Sequence, residues 1–322
     1  MERFELYILG CGAALPTPHH FCSSQLLNVR EKLFLIDCCE GVQMQLRRSR
    51  VKMQNINHIF ITHLHGDHCF GLLPLLSTLA LLGRTADIHV WGPVGLQSVF
   101  GSQIDYFCAG MTYTVHLHEI DHTTTSVILD DRSLTVTALP LRHRIPCVGY
   151  LFREKPLLPH IRRDAIDAFG IPLSQINNIK AGMDWTTPEG DVIPNHLLTT
   201  PADPPRSYAY LSDTLYTPEL APQLHGIDLL YHEATFLSEH QNLAQQTYHS
   251  TALQAAMMAR ECSARQLLIG HFSSRYTDEN LLLREAQSIF PNTILADDRA
   301  PKPIDITTSR HVDISKAPLN NP

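Results

Sequence analysis

Apolar and polar positions alternate along this chain in short blocks. Phe4-Glu5-Leu6-Tyr7-Ile8-Leu9, followed by Gly10-Cys11-Gly12, predicts a first strand closed by a tight turn. Residues 33–37 predict another strand and residues 41–50 a helix. The nearly continuous apolar run His58-Ile59-Phe60-Ile61-Thr62 predicts a strand covered on both faces. The pattern recurs at residues 134–141, 208–212, 228–231 and 266–270, and these runs stop near His143, Asp213, His232 and His271. Strand ends meet along one edge of a sheet, so polar residues far apart in sequence converge there while the strands stay buried. Helices fill the intervals, including one that starts at Thr251, where Thr251 and Gln254 have capping-box spacing. Strands grouped in each half, with helices between, predict an α/β chain of two sheets packed face to face and covered by helices.

Residues 153–205 break this rhythm. They carry eight prolines, a predicted helix near 161–169 and little strand character, which marks an inserted arm in an otherwise single domain spanning 1–322. The polar, proline-containing segment 299–322 is expected to be a loosely held tail.

A formal charge of −7 excludes indiscriminate adhesion to nucleic acid, which scales with the phosphates that Lys and Arg neutralise. It leaves room for a reaction on a phosphate held by bound metal. Eight scattered cysteines without a CxxC pair fit a reducing cytoplasm better than a disulfide framework. Glu2 and Glu5 against Arg3 argue against a secretory start, and the longest apolar stretch, residues 69–82, is too short to span a bilayer. No membrane association is expected.

The segment with most chemical content is Thr62-His63-Leu64-His65-Gly66-Asp67-His68. Four metal-competent side chains within six residues, directly after a buried strand, suit two adjacent borderline-soft ions. Gly66 is expected to supply a sharp backbone turn. A second histidine-rich run, Thr114 to His122, serves as a contrast: His116 and His118 alternate with Val115 and Leu117, as on the solvated face of an ordinary strand, and no metal is assigned there. His19, His20, His58, His89, His160, His196, His225, His240 and His311 lack a partner pattern and receive no ligand role.

The His-x-His-x-Asp-His loop resembles that of the metallo-β-lactamase superfamily, and further motifs over nearly the whole chain resemble the ribonuclease Z family. The resemblance implies a four-layer αββα sandwich with two Zn²⁺ ions at the edge of the sheets. It implies His63, His65 and His143 on the first ion, Asp67, His68 and His271 on the second, and Asp213 bridging both. His232-Glu233-Ala234-Thr235-Phe236 and Tyr248-His249-Ser250-Thr251 are similar to a family pair in which Glu233 orients His249 and His249 protonates the leaving 3′ oxygen. Asp67 would help take the proton of the attacking water, and Ser273 and Arg275 resemble phosphate-binding residues.

The implied reaction is endonucleolytic removal of the 3′ trailer from precursor tRNA by a cytoplasmic homodimer. Two departures bear on the substrate. Pro16-Thr17-Pro18-His19-His20-Phe21 stands where the family carries a basic Pro-x-Lys-x-Arg-Asn loop, and Ile171-Pro172-Leu173-Ser174-Gln175 lacks the Gly-Pro signature of its tRNA-gripping arm. A phosphodiesterase acting on generic or small diesters is therefore an alternative, and a non-catalytic metal-binding scaffold in RNA processing is a second.

Overall fold

The computed structural model describes residues 2–307. Two seven-stranded sheets dominate it. In spatial order the first runs Ile304–Asp305, Phe4–Gly10, Ser24–Val29, Lys32–Ile36, Ile56–Phe60, Ile88–Pro93 and Val115–Ile120. The second runs Thr293–Leu295, Gln266–Gly270, Leu229–Glu233, Ser207–Leu211, Val148–Glu154, Leu134–Pro140 and Ser126–Asp130. Lys32–Ile36 through Val115–Ile120 are mutually parallel, as are Ser207–Leu211 through Thr293–Leu295. Their carboxyl ends face one edge, where the expected site residues lie.

The first strand shows why its sequence is apolar throughout. Phe4, Leu6 and Ile8 join the core between the sheets with Phe34, Phe60, Tyr150 and Phe152. Tyr7 and Leu9 face the opposite way, into a second core with Leu72, Leu75, Leu76 and Leu79 of the helix Leu72–Leu81 and with Leu96 and Phe100 of the helix Leu96–Phe107. On the second sheet the helices Ala252–Glu261 and Asn280–Gln287 complete the α/β sandwich. The Thr251 capping box is present: Gln254 N donates to Thr251 Oγ1 at 3.2 Å, and Thr251 N donates to Gln254 Oε1 at 3.0 Å.

The strand predicted at residues 58–62 is observed as Ile56–Phe60. It ends early because the Asp37 carboxylate, not a neighbouring strand, accepts the Thr62 N–H at 2.8 Å. His116 and His118 do lie on a strand, yet they are half-buried rather than solvated. His118 stacks on Trp91 at 4.0 Å, and His116 on His89 at 4.9 Å. Of the expected tail, Ile304–Asp305 pairs with the first strand and Ile306 is buried, so apolar burial holds residues that polarity and proline content had assigned to a loose end. Residues 308–322, with His311, lie outside the described residues.

Chain contacts set apart a unit of residues 154–205. It has its own small core of Ala165, Ile171, Ile179 and Leu198, the helices Arg163–Ala168 and Ile176–Lys180, and two two-stranded ribbons, His160–Ile161 with Thr199–Thr200 and Trp185–Thr186 with Val192–Ile193. Among the described residues no helix is long and apolar enough to cross a membrane.

Candidate metal centre

Chain turns just past the strand ends bring seven of the expected residues together. His63, His65, His143 and Asp213 place one donor atom each within 4.8 Å of one another, and so do Asp67, His68 and His271. Asp213 lies between the two groups. Its Oδ2 is 3.7 Å from His63 Nε2, while its Oδ1 is 3.4 Å from His68 Nε2 and 3.2 Å from His271 Nε2. Asp67 Oδ2 is 3.3 Å from His68 Nε2.

The inward-facing Nε2 atoms of His63, His68 and His271 are buried and form no hydrogen bond. Buried polar atoms without partners cost about 1–3 kcal/mol each, so three converging on two carboxylates mark a place for a cation. The outward nitrogens are all held. His68 Nδ1 donates to Asp37 Oδ2 at 2.7 Å, His271 Nδ1 pairs with Thr235 Oγ1 at 2.8 Å, His63 Nδ1 with Thr62 Oγ1 at 3.0 Å, and His143 Nδ1 donates to the Tyr248 carbonyl at 3.0 Å. Fixing one ring nitrogen in this way sets the tautomer that leaves the other free to ligate. His65 is turned the other way, with Nδ1 inward, 3.3 Å from His143 Nε2. Histidine and carboxylate donors in two groups fit divalent ions of the zinc class.

Burial lowers the basicity of His63, His65 and His143, which favours the neutral ring that a metal requires. His68 departs from this: burial opposes its charge, but Asp213, Asp37 and Asp67 raise it well above the ordinary value. Burial would raise Asp213, yet His271, His68 and His63 hold it well below the usual carboxylate range.

Beside these groups Glu233 Oε1 accepts from His249 Nδ1 at 2.9 Å. Burial opposes protonation of His249, but buried Glu233 raises it to about 9. Glu233 also accepts from Thr214 N at 2.9 Å and from Thr235, which orients it. His249 stacks on His271 at 5.2 Å and lies 4.0 Å from Asp213, so the pair borders the metal-type donors. Ser273 and Arg275 lie outside both donor groups. Arg275 Nε reaches Ser273 Oγ at 3.3 Å, and its guanidinium covers Phe236 at 5.4 Å. Ser273 lines a cavity with Thr17, His19, Tyr276 and Arg299.

One expectation changes, and one residue joins the site. Gly66 has no left-handed φ and begins the short helix Gly66–Cys69; a Cβ there would instead meet the Phe70 ring at 2.3 Å. Asp37 belongs to the site without any motif of its own; its one sequence signal is its place at the end of a predicted strand, like the other polar residues of the centre. Its fully buried carboxylate accepts from Thr62, His68 and Tyr210.

This sandwich, with a histidine-carboxylate centre at its edge, has the architecture of metallo-β-lactamase-fold proteins. The metallo-β-lactamase fold protein YhfI of Bacillus subtilis superposes with a TM-score of 0.66 at 17% identity, covering 94% of this chain and 100% of that one. Human tRNase Z, short form, gives a TM-score of 0.67 at 27% identity over 94% of this chain and 99% of its own. Residues 4–91 match the family model described as anti-Pycsar protein Apyc1. Among curated relatives, the ribonuclease Z of Bacteroides fragilis is 57% identical over 92% of this chain and 97% of its own length. That of Bacteroides thetaiotaomicron is 58% identical over 92% and 94%. The chain belongs to the ribonuclease Z family.

Proposed function

We propose that this chain is a zinc-dependent endoribonuclease that removes the 3′ trailer from precursor tRNA, leaving a 3′-hydroxyl on the tRNA and a 5′-phosphate on the trailer. The observation that carries this reading is the Glu233–His249 pair set against two metal-type donor groups that share Asp213.

His63, His65, His143 and Asp213 would hold one Zn²⁺, and Asp67, His68, His271 and Asp213 the other. Bound there, the ions supply Lewis acidity to the phosphate and lower the pKa of the attacking water. The remaining work falls to the chain. Asp67, kept ionised by His68 despite its burial, accepts a proton from the attacking water. Glu233 fixes Nδ1 of His249 and keeps the ring charged, so His249 donates its other proton to the departing 3′ oxygen. An alkoxide is a poor leaving group, and a positioned acid contributes about 10²–10⁴ in rate. Arg275 and Ser273, adjacent on the loop after His271, would receive non-reacting phosphate oxygens. The arm would add contacts to the RNA whose binding energy helps set its register. The unpaired, buried cysteines suit a cytoplasmic enzyme. Exposed Leu81, Tyr106 and Phe107 give the two helices over the first sheet an apolar surface for a homodimer.

The test compares His249→Ala with the unaltered enzyme on precursor tRNA and on a nitrophenyl phosphodiester. Metal content should stay at two, RNA cleavage should fall by about 10²–10⁴, and the diester with the better leaving group should be largely spared. Equal loss on both substrates would remove the acid role from His249. An intact enzyme that hydrolyses the diester but never cuts precursor tRNA would be a small-diester phosphodiesterase.

A further inference from the structure

A second set of metal-competent side chains lies apart from the histidine loop. Cys11 directly follows the first strand, His20 sits on the loop after it, and Asp298 follows the strand Thr293–Leu295. Cys11 Sγ is 3.2 Å from His20 Nδ1, and His20 Nδ1 is 2.6 Å from Asp298 Oδ1. These three donors all lie within 4.8 Å of one another. Cys11 is fully buried, and the side chains of His20 and Asp298 are 8% and 1% exposed.

The surroundings are arranged as around a ligand set. His20 Nε2, on the far side of the ring, is 2.5 Å from Glu279 Oε1. A ligating histidine characteristically gives its other N–H to a carboxylate in this way. The second oxygen of Asp298 accepts from Phe21 N at 2.7 Å, which fixes the carboxylate with Oδ1 towards the histidine. Sulfur, imidazole and carboxylate together select a borderline-soft ion such as zinc.

We propose that Cys11 Sγ, His20 Nδ1 and Asp298 Oδ1 form a separate, sulfur-containing site for a divalent ion of the zinc class, oriented by Glu279 and structural in effect. Tetrahedral coordination at ordinary bond lengths spaces such donors roughly 3.4–3.6 Å apart, so seating an ion requires His20 Nδ1 to part from Asp298 Oδ1 and from Cys11 Sγ by under about 1 Å. A thiolate and a carboxylate neutralise a divalent charge, while the neutral ring keeps its N–H on Glu279. The ion would tie the loop bearing His20 to the segment bearing Asp298. These segments, with His19, Thr17 and Arg299, wall the cavity that Ser273 also lines. Local spacing gives no sign of this site, because Asp298 is 278 residues from His20.

Cobalt(II) reconstitution of the chelator-stripped full chain tests the site without reference to activity. Only a thiolate ligand produces a near-ultraviolet sulfur-to-cobalt charge-transfer band; the nitrogen-oxygen donors of the histidine centre produce visible ligand-field bands alone. The expected spectrum contains the charge-transfer band, and Cys11→Ser should abolish it while the visible bands persist. His20→Asn, a second variant in case the first does not fold, should weaken cobalt binding in this site at least tenfold. Zinc should also raise Tm further in the unaltered chain than in either variant. A proton shared by His20 and Asp298 is the competing arrangement. Visible bands without the charge-transfer band, or a band that survives Cys11→Ser, would overturn the proposal and leave the histidine centre intact. A charge-transfer band without the histidine centre's ligand-field bands would support this site and overturn the dinuclear reading.

Discussion

Replacing Asp37 by Asn perturbs the centre through a residue that touches no proposed ion. The carboxylate accepts Thr62 N at 2.8 Å and Thr62 Oγ1 at 2.9 Å on Oδ1, and His68 Nδ1 at 2.7 Å and Tyr210 OH at 3.0 Å on Oδ2. An amide of the same shape has one accepting and one donating end. If its oxygen keeps Thr62, its NH₂ faces His68 and Tyr210. Turning it over would set NH₂ against the Thr62 N–H and leave a buried donor unpaired, at about 1–3 kcal/mol. The first orientation should therefore prevail. His68 must then accept at Nδ1 and carry its proton on Nε2, the atom aimed at Asp67 and Asp213. A protonated Nε2 cannot ligate.

The expected consequence is a 10–100-fold loss of affinity for the ion on Asp67, His68 and His271, about 1.4–2.7 kcal/mol, with the other ion retained. Elemental analysis and chelator-competition titration of Asp37→Asn measure this directly, and excess zinc should restore much of the rate. Alanine is a poorer probe, because it strands several buried donors at about 1–3 kcal/mol each and endangers folding. Unchanged zinc affinity in a folded Asp37→Asn protein would refute the tautomer reasoning.

Further predictions separate ligands from bystanders. His65→Ala should lose metal and activity, whereas His118→Ala should keep both and lose the stacking on Trp91, about 0.5–1.5 kcal/mol, together with the 2.9 Å hydrogen bond to His89, both read as stability by denaturant titration. His58, stacked between Phe34 and His89, has its pKa lowered to about 4 by burial. A folded pKa below the unfolded one means that the unfolded chain takes up the proton first, so this contribution is complete above about pH 6.5 and is lost as pH falls towards 4. His58→Phe should flatten the acid limb of stability against pH in that window, by at most about 1.4 kcal/mol per pH unit; an unchanged slope would contradict it. Shortening the arm across residues 156–184 should weaken precursor tRNA cleavage at constant metal content and leave diester hydrolysis intact, with weak salt dependence because the segment is nearly neutral.

The sequence made the strand-end rule legible because buried parallel strands are apolar on both faces and stop abruptly where chemistry begins. Hence His63, Asp213 and His271 stand out from hydropathy alone, and family likeness pairs Glu233 with His249. Contacts that depend on three-dimensional register were not legible. His116 and His118 have the alternation of a solvated strand, but nothing local shows that Trp91 and His89 on the next strand will cover them. Cys11, His20 and Asp298 carry no motif at all, since their proximity comes from the closure of chain ends far apart in sequence.

Backbone strain is the least legible element, and two of its instances, Asp37 and His271, fall at the site. Asp37 has φ 55° and His271 has φ 61°, left-handed values that cost a non-glycine residue of order 1–3 kcal/mol. In each case the turn delivers two things at once. Asp37 N donates to the Phe60 carbonyl at 2.8 Å, and Cys38 N to the His68 carbonyl at 2.7 Å, so the chain leaves its strand and clasps the histidine loop while the side chain holds His68. His271 follows Gly270, and Phe272 N then donates to the Cys11 carbonyl at 2.9 Å, which joins the two sheets while the ring enters the centre. Glycine would relieve either strain and remove the side chain for which the turn exists. These two positions therefore trade backbone stability for placement of a donor, a choice that a hydropathy pattern cannot encode.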